Sequence, residues 1–175
     1  MPAVLRAANR DDVPSIAAIY GHHVLHGFAS FEIDAPSVDE MLRRFETVTQ
    51  AGYPYLVATD GARVLGYAYA SAFRTRPAYR YTVEDSVYLD PAATGRGLGR
   101  HLLVALIDAC TQARFRQMIA VIGDSANHAS IGLHRACGFD RMSVFVGTGF
   151  KHGRWVDTVF MQRALGDGDQ SPPSI

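Results

Sequence analysis

The run Tyr88-Leu-Asp-Pro-Ala-Ala-Thr-Gly-Arg-Gly-Leu-Gly-Arg-His-Leu-Leu103 restricts the possible folds of this chain more than any other segment. It reads as an apolar strand, a glycine-rich turn and then a helix from Leu98 to Cys110. Gly95, Gly97 and Gly99 bare the backbone where that helix begins. A bare helix N-terminus offers unpaired N–H groups and a partial positive charge, which suit a phosphate or pyrophosphate. Spacing excludes two common phosphate loops. No G-x-x-x-x-G-K-[ST] run occurs, and the G-x-G-x-G pattern, deep in the chain, is not the G-x-G-x-x-G of a dinucleotide fold. Three alternating glycines cost backbone entropy without packing return, which argues against a mere connecting turn.

The rest of the chain sets this loop in an α/β order. Val4 to Ala7 is a short strand. Asn9-Arg-Asp-Asp12 resembles a capping box, and Val13, Ile16, Ala17, Tyr20 and Val24 keep helical spacing up to Gly27. Ser37-Val-Asp-Glu40 is a second capping box, before the stripe Met41, Leu42, Phe45, Val48. Tyr55 to Thr59 and Val64 to Ala72 read as strands joined by an Asp60-Gly61 turn. A strand from Arg80 to Leu89 precedes the glycine loop. Met118 to Ile122 is a continuous apolar strand for a sheet centre. Asn127 to Cys137 is a helix stopped by Gly138, and 139–146 and 155–161 form a last strand pair. One domain over 1–165 is expected, with a disordered Gly/Asp/Ser/Pro-rich tail over 166–175.

Among 175 residues, 17 Lys+Arg balance 17 Asp+Glu, which argues against a general nucleic-acid binder. No apolar run suggests a membrane span or a signal peptide, so a cytoplasmic protein is expected, with no membrane partner. Cys110 and Cys137 are expected as packed free thiols. His22-His23-x-x-His26 lacks a matching distant ligand set, so no metal is expected.

Thr94-Gly-Arg-Gly97-Leu-Gly99 resembles the acetyl-CoA loop [Q/R]-x-x-G-x-[G/A] of the GNAT acetyltransferase superfamily, with Thr94 in place of the leading Gln/Arg. Ala129-x-x-x-Leu133-His-x-x-x-Gly138-Phe139 is similar to that superfamily's second motif. The resemblance covers about residues 3–163. It implies the GNAT fold: a mixed central sheet of about seven strands with helices on both faces. It also implies acetyl-CoA as co-substrate, held by Val87, Tyr88 and Leu89, by the loop Gly95, Arg96, Gly97, Leu98, Gly99 and Arg100, and by Asn127.

Acetyl transfer to an amine needs a base, because amino acid amines are protonated near neutrality. Period two along Thr82-Val-Glu-Asp-Ser-Val-Tyr-Leu89 puts Glu84, Ser86 and Tyr88 on one face and Val83, Asp85, Val87 and Leu89 on the other. A carboxylate inside a central strand is expensive unless used or paired. Glu84 is therefore the candidate base, Asp85 the backup, and pairing of Glu84 with Arg74 or Arg80 the alternative. Ser86 reads as a positioning hydrogen bond. By resemblance, His134 stands where many superfamily members carry Tyr. It is the candidate proton donor to the leaving thiolate, or else a packed helix histidine.

Ala29-Ser-Phe-Glu32, Thr82-Val-Glu-Asp-Ser-Val-Tyr88, Ser130-Ile-Gly-Leu-His134 and Gly149-Phe-Lys-His-Gly-Arg-Trp-Val-Asp157 narrow the resemblance to the phosphinothricin and methionine sulfone or sulfoximine N-acetyltransferase group. That group implies a homodimer acting on the α-amine of a small amino acid analogue. Arg74, Thr75, Arg76 and Arg80 offer grips for an α-carboxylate. Phe28, Phe31, Glu32 and Tyr81 would wall a side-chain pocket, with Glu84, Asp85 and Ser86 near the amine. Lys151 would reach a substrate in the neighbouring subunit. Two readings stay open beside this one: acetylation of a protein N-terminus or an aminoglycoside, and a non-catalytic acyl-CoA sensor.

Overall fold

A computed structural model describes residues 3–173. Seven strands form one mixed sheet in the order β1-β2-β3-β4-β5-β7-β6. They are β1 (Val4–Ala7), β2 (Tyr55–Asp60), β3 (Arg63–Ala72), β4 (Thr82–Leu89), β5 (Gln117–Gly123), β6 (Arg141–Lys151) and β7 (Arg154–Ala164). Only β4 and β5 run parallel; every other neighbouring pair is antiparallel. Four helices complete the fold: α1 (Val13–His26), α2 (Val38–Gln50), α3 (Leu98–Gln112) and α4 (His128–Ala136).

Helices cover both faces of the sheet, as the resemblance implies. On one face, Leu102, Leu103, Leu106 and Cys110 of α3 bury with Ala68, Val83, Met118, Ile122, Phe139 and Met161. On the other, Val13, Ile16, Tyr20 and Val24 of α1 and Met41 and Phe45 of α2 pack on Tyr55, Val57 and Tyr67. Period two along β4 thus divides its side chains. Val83 and Val87 join the α3 face, and Tyr88 joins the α1/α2 face.

Several boundaries differ from the sequence reading for local reasons. β4 starts at Thr82, because Pro77–Tyr79 forms a 3-10 turn instead of extending the strand. β6 runs on to Lys151 because a bulge between Phe145 and Gly149 absorbs the glycines that read as a strand end; Gly147 takes φ +62° there. The Ser37 capping box forms only by half: Ser37 Oγ accepts from Glu40 N, but the Glu40 carboxylate is held by Arg43 and Arg44. The C-terminal segment is more ordered than its composition predicts. Arg116 donates to the Gly168 and Ser171 carbonyls, at 2.8 and 2.9 Å, and fixes turns over 166–171. The last two residues of the expected tail lie outside the described residues.

Candidate active site

The parallel pairing of β4 with β5 decides where chemistry is possible. Register runs from Thr82↔Gln117 to Asp85↔Ala120 and stops there, although both strands continue. Beyond Asp85 the two strands splay. The β4 edge that faces β5 has no strand partner beyond Asp85, and free backbone groups in a cleft can bond an extended ligand or a developing oxyanion. A cleft of about 50 Å³ opens at the splay, lined among others by Asp85, Ser86, Val87, Asn127, Ser130 and His134. Asn127 caps α4, its Oδ1 accepting from Ser130 N at 3.1 Å.

The glycine loop follows directly. Gly95 and Gly97 take φ +73° and +75°, with open space where a side chain would sit. Gly97 is the N-cap of α3 and no side chain caps the helix. The first N–H groups of α3 therefore stay available beside the exposed Arg96 and Arg100, a fit to the phosphates of a coenzyme. Gly99 packs against Leu133 of α4 and Leu89. His23 of α1 holds the far end of β4, with its Nε2 2.8 Å from the Leu89 carbonyl.

On the α1/α2 side of the splay lies a second cavity of about 250 Å³. Phe31, Glu84, Ser86, Tyr88, Gly123 and Thr158 are among its walls. Glu84 is half-buried and makes no side-chain hydrogen bond or ion pair among the described residues. The pairing with Arg74 or Arg80 that the sequence left open is absent there. Burial first, and then the neighbouring Asp85 charge, push the Glu84 carboxyl up to about 7, with Arg74 opposing. Tyr88 is packed edge-on against Tyr20 at 5.1 Å.

Asp85 points to the opposite face. It is buried, and its Oδ2 lies 2.9 Å from His134 Nε2, while His134 Nδ1 lies 2.8 Å from the Ser130 carbonyl. Both imidazole nitrogens are therefore engaged within the chain. Asp85 as backup base is a poor match to this geometry: its carboxylate is committed to His134, away from the cavity that holds Glu84.

The loop between α1 and α2 builds the remaining wall. Phe31 seats its ring edge between Gly123 and Gly149, where a Cβ at either position would meet it. Glu32 does not line the cavity. It receives bonds from Arg44 and Tyr20, at 2.6 and 2.8 Å, and so anchors the loop. Lys151 also departs from expectation. It is buried, and its Nζ donates to the Ser30 carbonyl of its own chain at 2.6 Å. Arg154 pairs with Asp124 and lies over the Phe28 ring. Asp157 accepts from Ser125 and from Gly147 N. The segment 149–157 that the sequence singled out is thus a clamp on the pocket loop. Lys151→Met should leave the Ser30 carbonyl unpaired and cost about 1–3 kcal/mol, measurable by urea unfolding. Tyr81 lies elsewhere, beside Arg116 and the C-terminal turns. Arg74, Thr75 and Arg76 are exposed on the segment between β3 and β4, and neither arginine has an ion pair among the described residues.

A splayed parallel strand pair beside an uncapped glycine loop fits an acetyl-CoA-dependent acetyltransferase. The acetyltransferase (GNAT) domain family matches residues 5–160, and the chain belongs to that family. It is 53% identical to a phosphinothricin N-acetyltransferase of Alcaligenes faecalis, over 97% of this chain and 86% of that one. It is 41% identical to an L-methionine sulfoximine/L-methionine sulfone acetyltransferase of Salmonella typhimurium, over 92% and 94% of the two chains. The crystal structure of a phosphinothricin acetyltransferase from Sinorhizobium meliloti in complex with acetyl-CoA superposes with a TM-score of 0.96. That protein is 54% identical, with 99% of this chain and 94% of that chain covered.

Proposed function

We propose that this enzyme acetylates the α-amine of a small amino acid analogue of the phosphinothricin, methionine sulfone or methionine sulfoximine type, with Glu84 as the base. The observation that carries this reading is the unpaired Glu84 carboxyl, raised to about 7, on the wall of the acceptor cavity. Acetyl-CoA supplies the activated acyl group. Val87, Tyr88 and Leu89 hold it along the open edge of β4, the loop Gly95 to Arg100 takes its phosphates, and Asn127 lines the same cleft. Glu84 removes a proton from the bound ammonium, and Ser86 orients the amine beside it. Arg74, Thr75 and Arg76 grip the α-carboxylate; their exposure on the segment between β3 and β4 supports this.

A cytoplasmic homodimer agrees with two further observations. Both cysteines are free and buried. The outer β6–β7 hairpin exposes Val144, Phe145, Val146, Phe150 and Trp155, an apolar edge that a second copy would cover. No helix among the described residues is long and apolar enough to cross a membrane.

Thiol release from acetyl-CoA tests the acceptor class. Turnover is expected with phosphinothricin, methionine sulfone and methionine sulfoximine, and not with an aminoglycoside or a short peptide. The reverse pattern would sink the acceptor assignment while leaving the fold and co-substrate intact.

A further inference from the structure

The Asp85–His134 pair is the most deeply buried pair of opposite ionisable groups among the described ion pairs, with side chains 1% and 5% exposed. A buried carboxylate is costly unless a cation or several donors meet it. Asp85 has one such contact, His134 Nε2, and its Oδ1 is buried without any partner. The Ser130 carbonyl can only accept, so His134 Nδ1 carries its hydrogen. One proton must then lie between Nε2 and Oδ2. The other groups around the pair supply no competing cation in contact. Phe139 meets the imidazole edge-on at 4.9 Å, and the Ser130 hydroxyl is 3.4 Å from Nδ1. The Cys110 and Cys137 thiols feel the Asp85 charge from α3 and the end of α4, Arg100 and Arg163 act on Cys137, and Glu84 is the adjacent residue on the other face.

We propose that Asp85 is a positioning residue for acetyl transfer, which keeps His134 protonated at Nε2 and fixes its ring at the cleft between β4 and β5. Both N–H groups stay bonded inside the chain, so the paired imidazolium acts on the coenzyme face of β4 by its position and charge. This rests on the reading of Glu84 as base on the opposite face, so that one strand separates the base from the charged pair. Because Asp85 Oδ1 is buried without a partner, the carboxylate depends on His134 Nε2 as its one hydrogen-bond partner among the described residues. Burial opposes charge on His134, but the Asp85 hydrogen bond and charge outweigh it and raise its pKa above the ordinary imidazole value.

Histidine NMR titration of the coenzyme-free enzyme is the direct test. His134 should titrate above the ordinary imidazole range in the native enzyme and fall by about one pH unit or more in Asp85→Asn. The alkaline limb of kcat/KM should move to lower pH by the same amount, and at a pH above the limb each pH unit of that movement costs about tenfold in rate. An unchanged His134 titration overturns the proposal; so does a shifted titration with an unmoved alkaline limb. If Asp85→Asn does not fold, His134→Gln decides: the alkaline limb should vanish, and its persistence overturns the role. Glu84→Gln should keep the native His134 titration, so failure of the base assignment is read separately, from turnover.

Discussion

Glu84→Gln is expected to lower kcat by roughly 100- to 10,000-fold, the contribution of a positioned base, while acetyl-CoA affinity stays as in the native enzyme. The variant keeps the shape of the side chain and removes its ability to take a proton. Coenzyme binding should be spared because the loop Gly95 to Arg100 and α3 lie beyond the end of β4, away from the Glu84 cavity. The base must be a carboxylate to act, and its pKa is pushed up to about 7, so native kcat/KM should rise with pH through about 7. The same shift has a stability consequence of definite sign. The folded state binds this proton more tightly than the unfolded chain, whose glutamate titrates near 4.5. Stability is therefore lost as pH rises from that value through about 7. Glu84→Gln should melt higher than the native enzyme at pH 8, with the difference shrinking toward pH 4.5. Isothermal titration with acetyl-CoA, a pH–rate profile and thermal melts at the two pH values check all three points. Full turnover in the variant would remove Glu84 from the mechanism.

Gly123→Ala should damage the acceptor side of the enzyme selectively. Gly123 ends β5, where an added Cβ falls inside contact distance of the Phe28 carbonyl oxygen and 3.0 Å from the Phe31 ring. The ring could rotate away, but the carbonyl is main chain. The loop that carries it is tied down by Lys151 on Ser30, by Arg44 on Glu32 and by Arg154 over Phe28. Relief therefore requires moving the whole pocket wall. A cost of about 1–3 kcal/mol or more is expected, the range for overpacking a tight site. Acceptor KM should rise about tenfold, because Phe31 leaves its seat, and the KM for acetyl-CoA should rise less, since Gly123 also borders the cleft between β4 and β5. Gly132→Ala is the control for stability: nothing lies within 4 Å of the added methyl, and the position is inside α4. It should be neutral or slightly stabilising. Urea unfolding and steady-state kinetics with each substrate varied separate the two variants. Equal losses for both substrates in Gly123→Ala would mean that the clash spreads beyond the pocket wall.

The fold was legible because its signals are local. Glycine at alternate positions before a helix, Ser37 and Asn127 at helix starts, and period two along β4 act within a few residues of chain. Each has a backbone or solvation cause that operates before any tertiary contact forms. The same periodicity separated Glu84 from Asp85 correctly, since successive strand side chains must point to opposite faces. Strand ends were less legible where glycine has two uses. Gly147 and Gly149 read as a strand end, but one absorbs a bulge and the other leaves room for the Phe31 ring.

What the sequence by itself determined, then, is the element order, the phosphate-competent loop and the face of β4 on which Glu84 lies. Tertiary structure alone decided the partners. Lys151 meets Ser30 across 121 positions and His134 meets Asp85 across 49. Lys151 reads as a residue that reaches a substrate in a neighbouring subunit until a loop of its own chain meets its Nζ. His134 reads as a proton donor or a packed helix histidine, and only the fold places a carboxylate 2.9 Å from its Nε2. Hydrogen bonds and desolvation depend on which atoms share a buried space, and neither spacing nor composition records that.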